Sequence, residues 1–389
     1  MKDSTSVVII GGGVAGTSVA YQLAARGQRD VCLLEQSTIA SGSSSKSDGI
    51  VERQLLSEFD ILLRVKSFEI LQEFFRKGVD FHPIGYLRLI SEEKDVPKYL
   101  ESIRIQKSLG VNDSRFIDRE EIKRILPFIR ADDLVGGLYG PSDGMTDGSL
   151  LANAFAREAE KMGAKILQKI TVRNIQKSNG SNRFRIVTNQ GEMECDQLVN
   201  ATGAWSRSLG NMIGIEIPVK AVRRQIVQLE VPYQNAGRIP FFIEMKSRLY
   251  MHGSGGGNIV HCGLHFDEDD SQERSADPNR FDGGIDFTFA EQVAAAVENR
   301  TPGLAGAVVK GGWAGLYELT PDSRPILGEV PELTGFYNCT GFSGYGIQLS
   351  PIVGKLMAEL ILTGKTETIP DISPLEIGRF KKKSSYSLF

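Results

Sequence analysis

Val7-Val8-Ile9-Ile10-Gly11-Gly12-Gly13-Val14-Ala15-Gly16 is the stretch whose reading decides the fold. Its β-branched run suits a strand buried on both faces, as in a parallel sheet. Gly11, Gly13 and Gly16 then fall at the GxGxxG spacing. The first glycine permits a tight turn, the second lets a pyrophosphate touch backbone, and the third lets helix pack on strand. Working outward, Val19, Ala20, Leu23 and Ala24 recur at helical spacing and Gly27 marks a helix end. Val31-Cys32-Leu33-Leu34 reads as a second buried strand closing at Glu35, which is placed to accept hydrogen bonds from an adenosine ribose. A complete βαβ unit for a dinucleotide follows, with Val14 and Ala15 in the first helical turn and Gln36 beside Glu35 among the expected cofactor contacts.

The chain has 389 residues, 45 Lys+Arg against 48 Asp+Glu, and 41% hydrophobic residues, which excludes disorder, collagen and disulfide scaffolds. That length suggests about two domains. A formal charge of −3 provides no broad positive field, so nucleic acid is not an expected partner. No uninterrupted apolar stretch approaches the ~18 residues of a membrane span, and Met1-Lys2-Asp3-Ser4-Thr5 runs into a strand rather than a signal peptide. The expected location is cytoplasmic. Cys32, Cys195, Cys262 and Cys339 are scattered with no CxxC pair, which suits buried free thiols in a reducing compartment.

Further along, the pattern changes from Phe81 to alternating short strands, 85–90 for instance, and 92–126 is a polar helical region rich in Lys and Glu. Helical and strand patterns return over 150–203, antiparallel strands over 219–266, a helix over 289–299, and a last strand, glycine turn and helix over 335–362. The fold class expected is α/β plus α+β: a discontinuous Rossmann-type FAD-binding domain (1–80, 143–217 and 311–389) with an inserted, mainly antiparallel substrate domain (81–142 and 218–310).

Two further segments favour FAD over NAD. Ser41-Gly42-Ser43-Ser44-Ser45-Lys46 offers hydroxyls, backbone donors and a cation to an extended phosphate and ribityl chain. Gly341-Phe342-Ser343-Gly344-Tyr345-Gly346-Ile347-Gln348 opens a helix whose N-terminus favours the negative charge that reduced flavin develops. No metal is expected: His261 and His265 with Asp267 match no zinc pattern, and the acidic run 267–270 lacks the EF-hand spacing. Lys381-Lys382-Lys383 reads as a tail, and Trp205 and Trp313 as core residues adjoining cofactor segments.

Over nearly its whole length the sequence resembles the FAD-dependent amine and amino acid oxidoreductases of the D-amino acid oxidase superfamily, nearest the sarcosine oxidase β subunit, L-proline dehydrogenase and dimethylglycine dehydrogenase. The landmarks are the glycine motif with Glu35, residues 43–49, Asp143-Gly144 with Asp147, Asn200-Ala201-Thr202-Gly203-Ala204-Trp205-Ser206, Tyr317-Glu318-Leu319-Thr320-Pro321-Asp322, and 341–351. The resemblance implies that Val172 places backbone against adenine and that Ala201, Thr202, Gly203 and Trp205 pass near the phosphates and ribityl chain. It also implies that Gly344, Tyr345, Gly346, Ile347 and Gln348 contact the flavin ring, with Gly341 at the turn before them. FAD is expected without a covalent tether, because Gly315 and Ser43, Ser44 and Ser45 stand where related chains carry the tethering Cys or His.

The resemblance also sets expectations for substrate. His261 takes the place of the Lys that sarcosine oxidases hold over the flavin, which favours a dehydrogenase over an oxidase. Tyr317 stands where glycine oxidase and D-amino acid oxidase carry a carboxylate-gripping Arg, and Gln348 replaces a Lys of sarcosine oxidase. The expected carboxylate anchor is Arg53, offset by one because Glu52 stands at the family's own position, helped by Tyr250 and Tyr317. A secondary or tertiary amino acid is therefore the expected substrate, oxidised at its C–N bond by hydride transfer to flavin. The alternatives are a primary D-amino acid, 2-hydroxy acid or glycerol-phosphate oxidising flavoenzyme, an NAD-dependent dehydrogenase, or a redox-inert dinucleotide-binding subunit. An electron-acceptor protein or other subunits of a hetero-oligomer stay open as partners.

Overall fold

The computed structural model describes residues 4–178, 183–266 and 275–381. Strand Ser4–Ile10 lies between two parallel neighbours, Val31–Glu35 and Gly191–Asn200. Lys165–Gln168 extends the sheet on one side, and Phe336–Thr340 pairs in parallel with the end of Gly191–Asn200 on the other. Both faces of the first strand are buried, as its unbroken β-branched run requires. Val7 and Ile9 enter a core with Leu23, Phe155 and Leu356, while Val8 and Ile10 enter another with Leu34 and Leu198. Helices Val14–Ala25, Gly148–Lys161 and Gly346–Thr363 cover the first of these faces.

Gly346–Thr363 qualifies the membrane expectation: with 18 residues and a mean hydropathy of 1.2 it is long and apolar enough to span a bilayer. It is instead 72% buried against the helices beside it, which explains its apolar composition as core packing.

The second sheet has eight strands in the order Val308–Leu319, Lys220–Glu230, Ile259–Leu264, Leu249–Gly253, Phe241–Glu244, Tyr86–Ile90, Gly136–Gly140 and Arg115–Ile117. Every neighbouring pair is antiparallel except Phe241–Glu244 with Tyr86–Ile90. Helix Phe287–Arg300 covers one face, packing Phe289 and Val293 against Val227, Phe242, Met251 and Val260. The other face looks toward the first sheet. Val308–Leu319 ladders with Lys220–Glu230 along its whole length, so the expected boundary at 311 falls inside one continuous strand. Phe81–His82 likewise joins Gly144–Thr146 and Ile50–Val51 in a small ribbon between the two halves. The polar region 92–126 resolves into helices Val96–Ser108 and Arg119–Ile125 around a short strand. All four cysteines are free and buried. The acidic run 267–270 and Lys382 and Lys383 lie outside the described residues.

Candidate functional site

A cavity of about 600 Å³ begins at the glycine turn and ends on the open face of the second sheet. At its start, Gly11 has a φ of +111°, and a Cβ there would lie 2.3 Å from the Ala201 carbonyl oxygen. Helix Val14–Ala25 is capped by Gly13, which has no side chain to fill the first turn. Glu35 accepts hydrogen bonds from the Gly12 and Ser37 amides, both at 2.7 Å, and lines the cavity with Gln36. Ser44 Oγ accepts from the Val14 amide at 3.0 Å. Gly13, Val14, Ala15, Ser43, Lys46, Val172, Ala201, Thr202, Gly203 and Trp205 continue the wall.

Gly344, Tyr345, Gly346, Ile347 and Gln348 bring the N-terminus of helix Gly346–Thr363 to the same cavity. Gly344 is required there: its φ is +94°, and a Cβ would lie 2.4 Å from the Tyr317 ring. Three residues expected to touch a cofactor do not line the cavity. Gly16 serves packing, since a Cβ would sit 2.0 Å from the Gly11 carbonyl oxygen. Gly341, with φ +75°, makes the turn against Thr320, and the exposed Ser45 bonds back to the Gly42 carbonyl.

Cross-strand register builds the other end. Arg88, Ile243, Tyr250 and Gly263 are successive partners across four strands and so share a face. A Cβ at Gly263 would come 2.2 Å from the Tyr250 hydroxyl, so glycine makes room for the phenol. Tyr86 stacks on Phe241 at 4.5 Å, and Phe241 on Tyr250 at 5.7 Å, giving an aromatic floor. Two arginines line the cavity. Arg88 donates from Nε to the Gln54 carbonyl at 3.0 Å, and the Arg224 guanidinium lies 5.6 Å from the centre of the Tyr317 ring. Burial pushes the Tyr250 phenol well up, and desolvation by the surrounding wall also raises that of Tyr317, which is 38% exposed, so both are hydrogen-bond donors near neutral pH. Glu52 is neutralised by Arg64 Nε at 3.1 Å, and its amide donates to Gln348 Oε1 at 3.0 Å.

Two expected catalytic residues lie elsewhere. Arg53 does not line the cavity: its Nε donates to Asp143 Oδ1 at 2.8 Å and its guanidinium packs 4.5 Å from the centre of Phe68. Burial pushes Asp143 up to about 6 even with Arg53 opposing it. His261 is also off the cavity wall, donating from Nδ1 to Asp48 at 3.0 Å, and His265 lines the cavity in its stead. Each is held by a carboxylate distant in sequence, Arg53 by Asp143 and His261 by Asp48, and no local spacing announces either pairing. Sequence reasoning missed Arg88, Arg224, Asp48 and His265. A signal existed for Arg88, an arginine within the otherwise apolar and fully buried strand Tyr86–Ile90.

Comparison with known proteins gives the same placement. Residues 6–360 match the family model described as FAD dependent oxidoreductase. The chain is 27% identical to human mitochondrial sarcosine dehydrogenase over 391 residues, covering 98% of this chain and 42% of that protein. It is 28% identical to rat mitochondrial dimethylglycine dehydrogenase over 404 residues, covering 98% and 45%. The chain thus spans less than half the length of these curated relatives. Among solved structures, L-proline dehydrogenase from P. horikoshii superposes with a TM-score of 0.88 at 29% identity, covering 98% of this chain and 99% of that one. With the family model spanning most of its length and a cavity that begins at the dinucleotide turn, the chain belongs to the FAD-dependent oxidoreductase family.

Proposed function

We propose that the chain oxidises the carbon–nitrogen bond of a small secondary or tertiary amino acid, of the sarcosine, dimethylglycine or proline type. One observation carries this reading: the cavity that starts at the GxGxxG turn ends among Arg88, Arg224, Tyr250 and Tyr317 on the second sheet. The residues fit the cofactor, because a glycine-built cradle, Glu35 and two helix N-termini meet along one cavity. Glu35 would hold the adenosine ribose, residues 11–15 the pyrophosphate, and residues 344–348 the flavin ring. FAD supplies the hydride acceptor when bound.

The chain's own residues have other tasks. Arg88 and Arg224 offer charge-assisted donors to a carboxylate, and Tyr250 and Tyr317 add neutral donors that keep their protons. Tyr86, Phe241 and Ile243 exclude water from the sheet end. Helix Gly346–Thr363 turns its positive end toward negative charge developing nearby. FAD is held without a covalent bond: Gly315, Ser43 and Ser44 line the cavity where a tether would form, and burial keeps the thiol of the nearby Cys339 protonated. Acid precipitation should release all yellow colour to the supernatant.

Anaerobic reduction of the bound flavin by a substrate panel tests the assignment. Sarcosine, dimethylglycine or proline should bleach it faster than D-alanine or 2-hydroxy acids do. Fastest bleaching by D-alanine overturns the substrate class.

A further inference from the structure

Asp48 is an anion on the cavity wall that no hydride-transfer role uses, and it is gripped from the second sheet by two histidines. We infer that Asp48, His252 and His261 form a buried ionic latch by which the second sheet fixes the cofactor-side loop 43–49, making Asp48 a positioning residue for the FAD site. This rests on the family's FAD dependence and not on the substrate class proposed above.

The geometry is specific. His252 and His261 are direct cross-strand partners, with rings 5.2 Å apart at 80°. Asp48 reaches between them, Oδ1 lying 3.0 Å from His261 Nδ1 and Oδ2 3.3 Å from His252 Nε2. The proton positions follow from their partners. His252 Nδ1 faces the Gly253 carbonyl at 2.9 Å, which can only accept, so Nδ1 carries a proton. Among the described residues Nε2 makes no hydrogen bond and lies 3.3 Å from Asp48 Oδ2, so a bare nitrogen would be left unsatisfied beside a carboxylate, at a residue with no solvent exposure. The imidazolium form of His252 is the one this arrangement stabilises. His261 donates from Nδ1 to Asp48 and accepts at Nε2 from the Gln228 amide at 3.2 Å. Burial opposes the charge on both members of the pair, and their mutual attraction outweighs it. Asp48 is held well below the usual carboxylate range, and His252 is raised. The other titratable groups that feel Asp48 are Tyr250, Tyr317 and Cys262, with Arg224 beyond the two phenols.

The latch acts on the loop that matters for the cofactor. Ser43, Ser44, Lys46, Ser47 and Asp48 line the cavity. Neutral contacts also tie this loop to the second sheet: Ser43 Oγ donates to the Leu316 carbonyl at 2.7 Å, and Trp313 Nε1 to that of Lys46 at 2.8 Å. Asp48 supplies the charged contact. The same three side chains put ligand atoms within 4.8 Å of one another, a spacing that a tetrahedral ion with ligand separations of about 3.3 Å would also accept. The Gln228 contact argues for the ion pair, because it leaves the proton on the nitrogen a metal would need.

The test is FAD dissociation from the holoenzyme across pH 5.5–9, with metal content measured alongside. A histidine raised in the folded state stabilises fully below its unfolded value of ~6.5, and that contribution is lost as pH rises through the folded value. Because the latched loop is the form that binds FAD, loss of the His252 proton lowers the latched fraction, so wild-type FAD affinity should fall as pH rises. Asp48→Asn and His252→Gln should each weaken FAD binding by more than about tenfold at the acid end and flatten the pH profile. His261→Gln leaves the Asp48–His252 pair in place and should keep the slope, which preserves the test if the other variants fold poorly. An Asp48→Asn profile parallel to wild type, a wild-type affinity independent of pH, or one equivalent of tightly held zinc in purified protein would each overturn the latch.

Discussion

Arg53 and Arg224 differ in what surrounds them more than in exposure alone. Arg53 is paired inside the protein with Asp143, whereas Arg224 borders the cavity over the Tyr317 ring. Removing Arg53 leaves a buried carboxylate without its cation, so Arg53→Ala should cost about 3–5 kcal/mol of stability, read by urea unfolding. Substrate affinity of the folded fraction should be unchanged. Arg224→Gln should do the opposite, weakening carboxylate substrates by roughly 10–150-fold, the equivalent of ~1.5–3 kcal/mol for a hydrogen bond to a charged group, with FAD content intact. Anaerobic titration of the flavin spectrum separates the two. The residue identities were all in the sequence; which arginine faces the cavity was not, because Arg53 is taken up by a partner 90 positions away.

Helix Val14–Ala25 depends on its glycines in two different ways. Gly11 and Gly13 keep side chains out of the turn, whereas Gly16 lets the helix lie against the Gly11 carbonyl. Gly16→Ala forces that contact from 2.0 Å outward and should destabilise by about 1–3 kcal/mol, the cost of overpacking. The variant should also purify with a lower flavin-to-protein absorbance ratio, because the turn moves with the helix. Full flavin content and unchanged stability would show that the helix tolerates the shift. This element was legible from spacing alone, since the turn and helix follow from residues within one short segment, although Ser44 caps the Val14 amide from 30 positions away. The strand Val308–Leu319 was not: from residue 311 on it reads as the start of the last nucleotide-domain segment, and only its ladder with Lys220–Glu230 assigns it to the second sheet.

On the scale of the whole molecule, two sheets share one cavity, and the segments between them cross more than once. A ligand filling that cavity binds the folded chain and not the unfolded one. FAD at a hundredfold excess over its Kd should add about 2.7 kcal/mol, so Tm should climb with FAD concentration. Thermal scans of stripped and reloaded protein measure this, and a Tm indifferent to FAD would mean that the cavity does not hold it. The sequence by itself determined the parallel nucleotide sheet, the dinucleotide turn, the antiparallel character of the inserted half and the family. Those depend on short-range spacing and on burial patterns that each segment carries alone. Tertiary structure decided which side chains meet: that Arg88 and Arg224 line the cavity and Arg53 does not, that His265 stands there in place of His261, and that Asp48 finds His252 and His261. The physical reason is that cross-strand register and salt-bridge pairing join residues tens to hundreds of positions apart, and a side chain taken up by such a partner no longer faces the cavity.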